Sequence, residues 1–338
     1  VSRLLSIEYP EEKISLWIID DGSEDNTPNL LKELSEKFPS INVLSRTKMS
    51  GGGKSGALNA VLKKTDGEWL FILDADAQLQ SNVLLRAITL ALHGGWSGVQ
   101  LRKAVVNFEL NQIAAYQAME MAMDAVIQRG RLATGGVAEL RGNGQLINRK
   151  VLESCGGFNE QTITDDLDLS FRFLLTRSPI VVMWDPPIQE EAVESVPALF
   201  RQRKRWAEGG LQRFFDYWPL LISKRLSTFK KLDLACFFLL QYVLPVVSFI
   251  DCTVSIILFK MPLYWPLSIV AFCISSLAYW KGCSQNSEGP KLPSPNFFNI
   301  LGATAYLSHW FIVIPFIAFK MSLFRKTLIW EKTDHTGS

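Results

Sequence analysis

Residues 232–323 carry only seven charged side chains in 92 positions: Asp233, Asp251, Lys260, Lys281, Glu288, Lys291 and Lys320. The other 246 residues hold the remaining 61. A water-soluble domain of that size must solvate its surface with polar groups, and this stretch has too few to do so. The chain therefore reads as a polar domain followed by a membrane domain. Three apolar stretches fill the second part. Residues 234–259 are broken by Pro245 and Asp251, residues 261–280 are uninterrupted, and residues 297–319 hold His309 as their one ionisable group. Each is near the roughly 20 residues that cross a bilayer as a helix.

Charge around these stretches gives an orientation. Lys224, Arg225, Lys230 and Lys231 precede the first span, which puts the polar domain on the cytosolic side of a multi-pass protein. The basic residues Lys320, Arg325, Lys326 and Lys332 also favour the inside, which three full crossings do not allow, so one stretch is expected to be interfacial or re-entrant. Residues 212–231 combine Phe214, Phe215, Tyr217, Trp218, Leu220, Leu221 and Leu226 with the basic cluster. That make-up suits a segment lying in the interface plane, and equally an aromatic-rich linker helix. The expected organisation is a polar domain over 1–211, an interfacial segment over 212–231, the membrane region over 232–323 and a polar tail over 324–338.

The polar part alternates short apolar runs with amphipathic ones. Strands are expected at 15–20, 41–44, 69–74, 99–102 and 180–184, and helices at 27–38, 55–64, 83–93, 111–128 and 165–176. Such alternation argues for an α/β fold with a mainly parallel sheet, whose ligands bind at the carboxyl ends of the strands. No strand precedes the run SLWIID and there is no initiator Met, so a further N-terminal strand is expected to be missing. The net charge of +2 gives no basic footprint, which argues against nucleic acid as a partner. The five cysteines form no CxxC pair and read as small buried hydrophobes of a reducing compartment.

Acidic clusters stand where strands end. Asp20-Asp21-Gly22-Ser23 is either plain turn chemistry or a carboxylate pair for a ribose or nucleobase. Asp74-Ala75-Asp76 follows the apolar run WLFIL, and residues i and i+2 of an extended segment face the same way. Two such carboxylates suit a Mg²⁺ or Mn²⁺ ion shared with substrate phosphates. Thr164-Asp165-Asp166-Leu167-Asp168 opens a helical run, with Thr164 as the expected N-cap and the acids favoured by the helix dipole. The same dipole keeps a first-turn carboxylate ionised, as a general base requires. Gln202-Arg203-Lys204-Arg205-Trp206 reads as a juxtamembrane basic segment, or as an arginine for a diphosphate beside a stacking Trp. The run Gly51-Gly52-Gly53-Lys54-Ser55-Gly56 fails as a P-loop, because Lys48 stands where the first Gly is required, but Lys54 at a helix start can still meet a phosphate.

Taken in order, DDGS at 20–23, DAD at 74–76, TDD at 164–166 and QRKRW at 202–206 resemble the D, DxD, [T/E]-[E/D]-D and QxxRW series of family 2 glycosyltransferases with the GT-A fold. The resemblance implies a nucleotide-sugar-binding domain with a Rossmann-like mixed sheet, and sugar transfer with inversion at the anomeric carbon. It implies that Asp20 and Asp21 hold the uridine and that Asp74 and Asp76 place Mg²⁺ or Mn²⁺ on the diphosphate. Asp166 becomes the base, with Arg205 at the leaving group. Asp165, Gln202 and Trp206 close over the acceptor entrance, and Gly142-Asn143-Gly144-Gln145 line the acceptor side. Asp165 stands where many members have Glu. Within the family, ELRGNGQLINR (139–149), EQTITDDLDLSFR (160–172), RQRKRWAEGGLQRFFDYWPLL (201–221) and TLIWEKTDH (327–335) most resemble a cyanobacterial branch that moves glucose from UDP-glucose to diacylglycerol. The rivals are a processive synthase of cellulose, hyaluronan or poly-N-acetylglucosamine type, a polyprenyl-phosphate glycosyltransferase, and a membrane-anchored nucleotide-binding regulator without catalysis. Three spans are few for threading a polymer, and a regulator has no need of Asp74, Asp76, Asp166 and Arg205 together.

Overall fold

The computed structural model of the chain describes residues 2–323; the tail motif at 327–335 and the basic residues beyond 323 lie outside them. After a short helical turn α1 (Ser2–Leu5), the polar part runs β1 (Leu16–Asp21), α2 (Thr27–Lys37), β2 (Ile41–Arg46), α3 (Gly53–Leu62), β3 (Trp69–Ile72), α4 (Val83–Gly94) and β4 (Gly98–Val105). It continues through α5 (Gln112–Ala133), β5 (Gln145–Asn148), α6 (Arg149–Ser154), α7 (Asp165–Leu175), β6 (Ile180–Glu190) and the long α8 (Val196–Leu221).

The strands form two sheets. β1 and β2 pair in parallel, and β3-β5-β4-β6 form the second, in which β5 is antiparallel to both neighbours and β4 is parallel to β6. The sheet is thus mixed, where alternation of elements alone suggested a mainly parallel one. β5 is the difference. Its four residues QLIN begin with a polar Gln and follow Gly142 and Gly144, so no period-2 pattern marks it. β6 also runs past the expected end at Trp184. Its register against β4 slips between Leu101 and Lys103, opposite Met183 and Ile188, and the slip takes up Asp185-Pro186-Pro187, whose two prolines have no N–H for the ladder.

Two buried clusters hold this sheet. One joins Ile72, Leu140, Ile147, Leu169, Phe173 and Trp184, and the other packs Val83 and Ala87 of α4 on Val99, Leu101, Met183 and Ile188. α7 joins two clusters, through Leu169 and Phe173 on one face and through Phe171 and Leu174 on the other.

The apolar part is α9 (Thr228–Phe238), a single π-helical turn (Leu239–Val243), α10 (Leu244–Leu258), α11 (Trp265–Ser284), α12 (Phe297–Tyr306), a 3₁₀ turn (Leu307–His309) and α13 (Trp310–Leu323). Three helical stretches are long and apolar enough to cross a membrane: Thr228–Leu258, Trp265–Ser284 and Phe297–Leu323. The second begins later than its apolarity suggested because Asp251 Oδ2 accepts a hydrogen bond from the Tyr264 N–H at 2.7 Å and holds 261–264 in a turn.

Three expectations are corrected here. α8 runs unbroken through residue 211, so the boundary expected there falls inside a helix. Phe214 is buried against Phe171, Phe238 and Tyr242, so of the aromatics expected at an interface it is Phe215 and Trp218 that stay exposed. The cysteines are free, and none is buried; Cys236, Cys252 and Cys273 lie on exposed faces of apolar helices.

Polar contacts tie these apolar helices to the sheet domain. Arg131 at the end of α5 grips Asp233 of α9 through two nitrogens, at 3.0 and 2.8 Å. Glu120 of α5 and Arg203 of α8 form a buried ion pair, to which Tyr306 and Trp310 donate hydrogen bonds at 3.4 and 3.3 Å. Lys320 of α13 meets Glu208 of α8 at 3.0 Å. At Gly282 a side chain would strike the backbone of Ala122, so α11 lies directly on α5.

Candidate active site

The acidic clusters converge on one cavity of about 1690 Å³ at the carboxyl ends of β1 and β3. Asp20, Asp21, Asp74, Asp76, Asp165 and Asp166 all line it, with Lys54, Gln202, Arg205 and Trp206. One arm passes between β1 and β3, past Ile18 and Phe71. Another leads to the C-terminal apolar helices, past Tyr242 and Trp310.

Each carboxylate is held by its own local geometry. Asp20 is buried, and its Oδ1 accepts the Ser23 N–H at 3.0 Å, which closes the turn after β1. Gly22 makes that turn with φ +75°, and an added Cβ would meet the Lys48 backbone at 2.8 Å. Asp21 is exposed and paired with Arg46 at 3.0 Å. Beyond β3 the backbone is no longer extended. The Ala77 N–H bonds the Asp74 carbonyl at 3.0 Å, so Asp74 and Asp76 sit in a turn and converge for that reason, not through strand alternation. The Asn143 side chain accepts the Asp74 N–H at 3.1 Å and fixes where that turn begins.

Lys54 enters from the first turn of α3, whose start Gly52 provides in a left-handed conformation. Its Nζ lies 2.6 Å from Asp74 Oδ1. Burial disfavours the Lys54 ammonium, but Asp165, Asp74 and Asp166 outweigh it and hold its pKa above the ordinary value. For Asp74 burial is likewise outweighed, by Lys54 first and then Lys103 and Arg205, so its carboxyl is held below the usual range. Asp166 is the opposite case. Burial and the neighbouring Asp165 carboxylate push its pKa up to about 6, against the opposing pull of Lys54, Lys103 and Arg141.

Thr164, expected as the N-cap of α7, makes no capping hydrogen bond. Its side chain instead lies against α8, where a Cβ at Gly209 would overlap it. α8 is divided by function of position. Gln202, Arg205 and Trp206 line the cavity, while Arg203 turns away to Glu120. Gln202 is buried and accepts a hydrogen bond from Gln117 at 3.3 Å.

Gly144 and Gln145 are not at the cavity wall. Gly144 donates its N–H to the Ile72 carbonyl at 3.1 Å and its Cα packs on Ile188, while Gln145 is a buried residue of β5 whose amide bonds Gly142. Gly144 leads into an inner strand and Gln145 begins it, which removes both, and Arg141 and Gly142 take that stretch of wall. Lys103, Arg141 and Glu190 also line the cavity and were not anticipated. Lys103 pairs with Glu190 at 3.1 Å, and Arg141 with Asp124 at 3.1 Å. A basic residue inside β4 and an acid at the end of β6 were the only signals, and the second lies beyond the proline pair that hid the strand's length.

Among the described residues no group of three or more His, Cys, Asp or Glu side chains is placed to cage a metal ion. Asp74 and Asp76 offer two hard oxygen donors on one turn. That donor set fits an ion such as Mg²⁺ or Mn²⁺ that takes its other ligands from substrate phosphates and water.

With this geometry in view, the profile of "Glycosyltransferase like family 2" matches residues 1–209. The chain belongs to that family. As a family 2 glycosyltransferase it is 40% identical over 99% of its length to a beta-monoglucosyldiacylglycerol synthase of Trichormus variabilis, covering 73% of that protein. The synthase of the same name from Synechocystis is 39% identical, with 99% and 71% covered. A poly-beta-1,6-N-acetyl-D-glucosamine synthase of Staphylococcus epidermidis is 27% identical over 68% of the chain and 55% of that protein. Among solved structures, the Pyrobaculum calidifontis mannosyltransferase in complex with GDP-Man and Mn²⁺ superposes with a TM-score of 0.60 at 18% identity, over 96% of this chain and 82% of that one. The fold is therefore GT-A, a mixed-sheet glycosyltransferase domain followed by helices able to span a membrane.

Proposed function

We propose that this family 2 glycosyltransferase moves glucose from UDP-glucose to the free hydroxyl of 1,2-diacylglycerol, with inversion, giving a β-monoglucosyldiacylglycerol. The observation that carries the reading is the 40% identity along 99% of the chain to synthases of that name. The arm of the cavity that opens among the membrane helices supports it, because a diacylglycerol hydroxyl can reach only a site held against the headgroup layer. The same reading makes the chain a multi-pass membrane protein whose sugar-transferring domain faces the cytosol, where the basic cluster at 224–231 lies.

In this mechanism Asp20 and Asp21 accept hydrogen bonds from the uridine, and Lys54 and Arg205 meet the diphosphate. Asp74 and Asp76 would hold a Mg²⁺ or Mn²⁺ ion, whose positive charge offsets the charge growing on the departing UDP. Gln202 and Trp206 cover the sugar from α8, and Asp165 keeps the field at the acceptor side negative. Asp166 takes the proton of the acceptor hydroxyl as its oxygen attacks the anomeric carbon. The new C–O bond forms on the face opposite the breaking bond to UDP, so configuration inverts. A carboxyl raised to about 6 suits this task, being a stronger base than an ordinary carboxylate yet still ionised at neutral pH. A neutral alcohol needs such a base, whereas an ionised phosphate acceptor does not.

The test is product identity. Membranes containing the chain, given UDP-[¹⁴C]glucose and diacylglycerol, are expected to yield one labelled lipid in the chloroform phase with a β-linked hexose. A high-molecular-weight or water-soluble glycan with no labelled lipid overturns the reading.

A further inference from the structure

We propose that the membrane arm of the cavity, between the π-turn region of the first membrane helix, α11 and the start of α13, is the seat of the acceptor's acyl chains. The inference rests on the lipid acceptor read above and assigns where that lipid sits.

The first observation is continuity. The space that holds Asp166 and Asp74 runs without a break to Leu240 and Gln241 of the π-turn, Ala271 and Ser275 of α11, and Phe311 of α13. Ala271 and Ser275 are four residues apart, so both belong to one face of α11, and the Ser275 hydroxyl bonds back to the Ala271 carbonyl at 2.9 Å. That closes the hydroxyl within its own helix and leaves a wall without a demand for water. Phe272 stacks on Phe311 with ring centroids 5.4 Å apart, forming an aromatic end to the same wall.

The second observation is the π-turn itself. One extra residue per turn at Leu239–Val243 widens the helix at the height where it meets the catalytic domain. It brings both Gln241 and Tyr242 to the cavity. Tyr242 is buried over Gly210, where no side chain would fit. Gln241 is half-buried, and its amide has no hydrogen-bond partner among the described residues. An apolar cleft with an unpaired amide in its wall matches the chemistry of a diacylglycerol, which presents hydrocarbon together with an ester carbonyl beside the reacting hydroxyl. The amide would donate to that carbonyl.

Occupying the cleft with a side chain separates the arms. Ala271→Phe should raise the KM for dipalmitoylglycerol at least tenfold and leave the KM for UDP-glucose within twofold. Gln241→Leu should raise the KM for the ester-linked lipid by about fivefold and leave that for an ether-linked analogue within twofold. As a measurement on the unaltered chain, a diacylglycerol with a diazirine at mid-chain should label peptides from 239–245 and 271–275 in the presence of UDP. The assignment is overturned if long-chain KM is unchanged in Ala271→Phe, or if the diazirine labels only outward faces such as 254–258. Absence of any labelled glycolipid from the wild-type chain would instead overturn the lipid acceptor, and the photolabelling reads the cleft independently of turnover.

Discussion

Lys54 Nζ and Asp74 Oδ1 stand 2.6 Å apart at the meeting point of α3 and the β3 turn, so the carboxylate proposed to hold the metal and the cation proposed to meet the phosphate share one ion pair. Three carboxylates, Asp74, Asp165 and Asp166, stabilise that ammonium. Lys54 is in turn among the charges that restrain the rise of the Asp166 pKa. Lys54→Met should therefore raise the pKa of the base and lower kcat/KM by about one to two orders of magnitude at pH 7. A pH-rate profile checks it: the acid limb should move to higher pH than in the wild type.

The wild-type profile has a definite sign. A carboxyl with a raised pKa keeps its proton to higher pH, so the base is lost as pH falls through about 6, rather than through about 4 as for an ordinary Asp. Activity should be level above that value and fall below it. Asp165→Asn removes the like charge beside Asp166 and should shift the limb downward. A limb that stays in place shows that burial alone sets it.

Asp166→Asn should cost roughly 10²–10⁴-fold in turnover, the usual worth of a general base, while UDP affinity stays within threefold. Turnover within tenfold of wild type removes Asp166 from that role.

Asp74→Ala and Asp76→Ala should each weaken UDP-glucose binding in Mg²⁺ or Mn²⁺ and abolish the dependence on the ion. Calorimetric titration of UDP with and without EDTA reads this directly. Wild-type activity that survives full chelation contradicts it.

Gly209→Ala places a methyl group into Thr164, the residue before the two acids of α7. The expected result is a kcat about tenfold lower with KM for UDP-glucose nearly unchanged, because the base moves and the nucleotide site does not. Steady-state kinetics with both substrates varied separates these effects.

Much of this was legible from residue order. The paucity of charge over 232–323 located the helices that are long and apolar enough to cross a membrane, since such a helix announces itself by composition. The D, DxD, TDD and QxxRW series brought nine of the anticipated site residues to one cavity. What stayed hidden depended on tertiary context. β5 is four residues long and inner to the sheet, so neighbours and not its own pattern make it a strand, and Gly144 and Gln145 were misplaced with it. Arg203 and Arg205 are indistinguishable as letters two positions apart. About 200° of helix rotation sends one into a buried pair with Glu120 and the other to the cleft.

α8 is 26 residues long and has no linker after the QRKRW run: Phe214 and Leu221, on its second half, share a core with Phe171 of the sheet domain and with Leu234, Val313 and Ile317 of the apolar helices. A protease or an expression boundary set near residue 211 would cut through the middle of that core and not between two bodies. The sheet domain and the apolar helices thus share side chains of one core, so a chimaera that exchanges the anchor for a foreign one has to rebuild the packing around Phe171 and Phe214 as well.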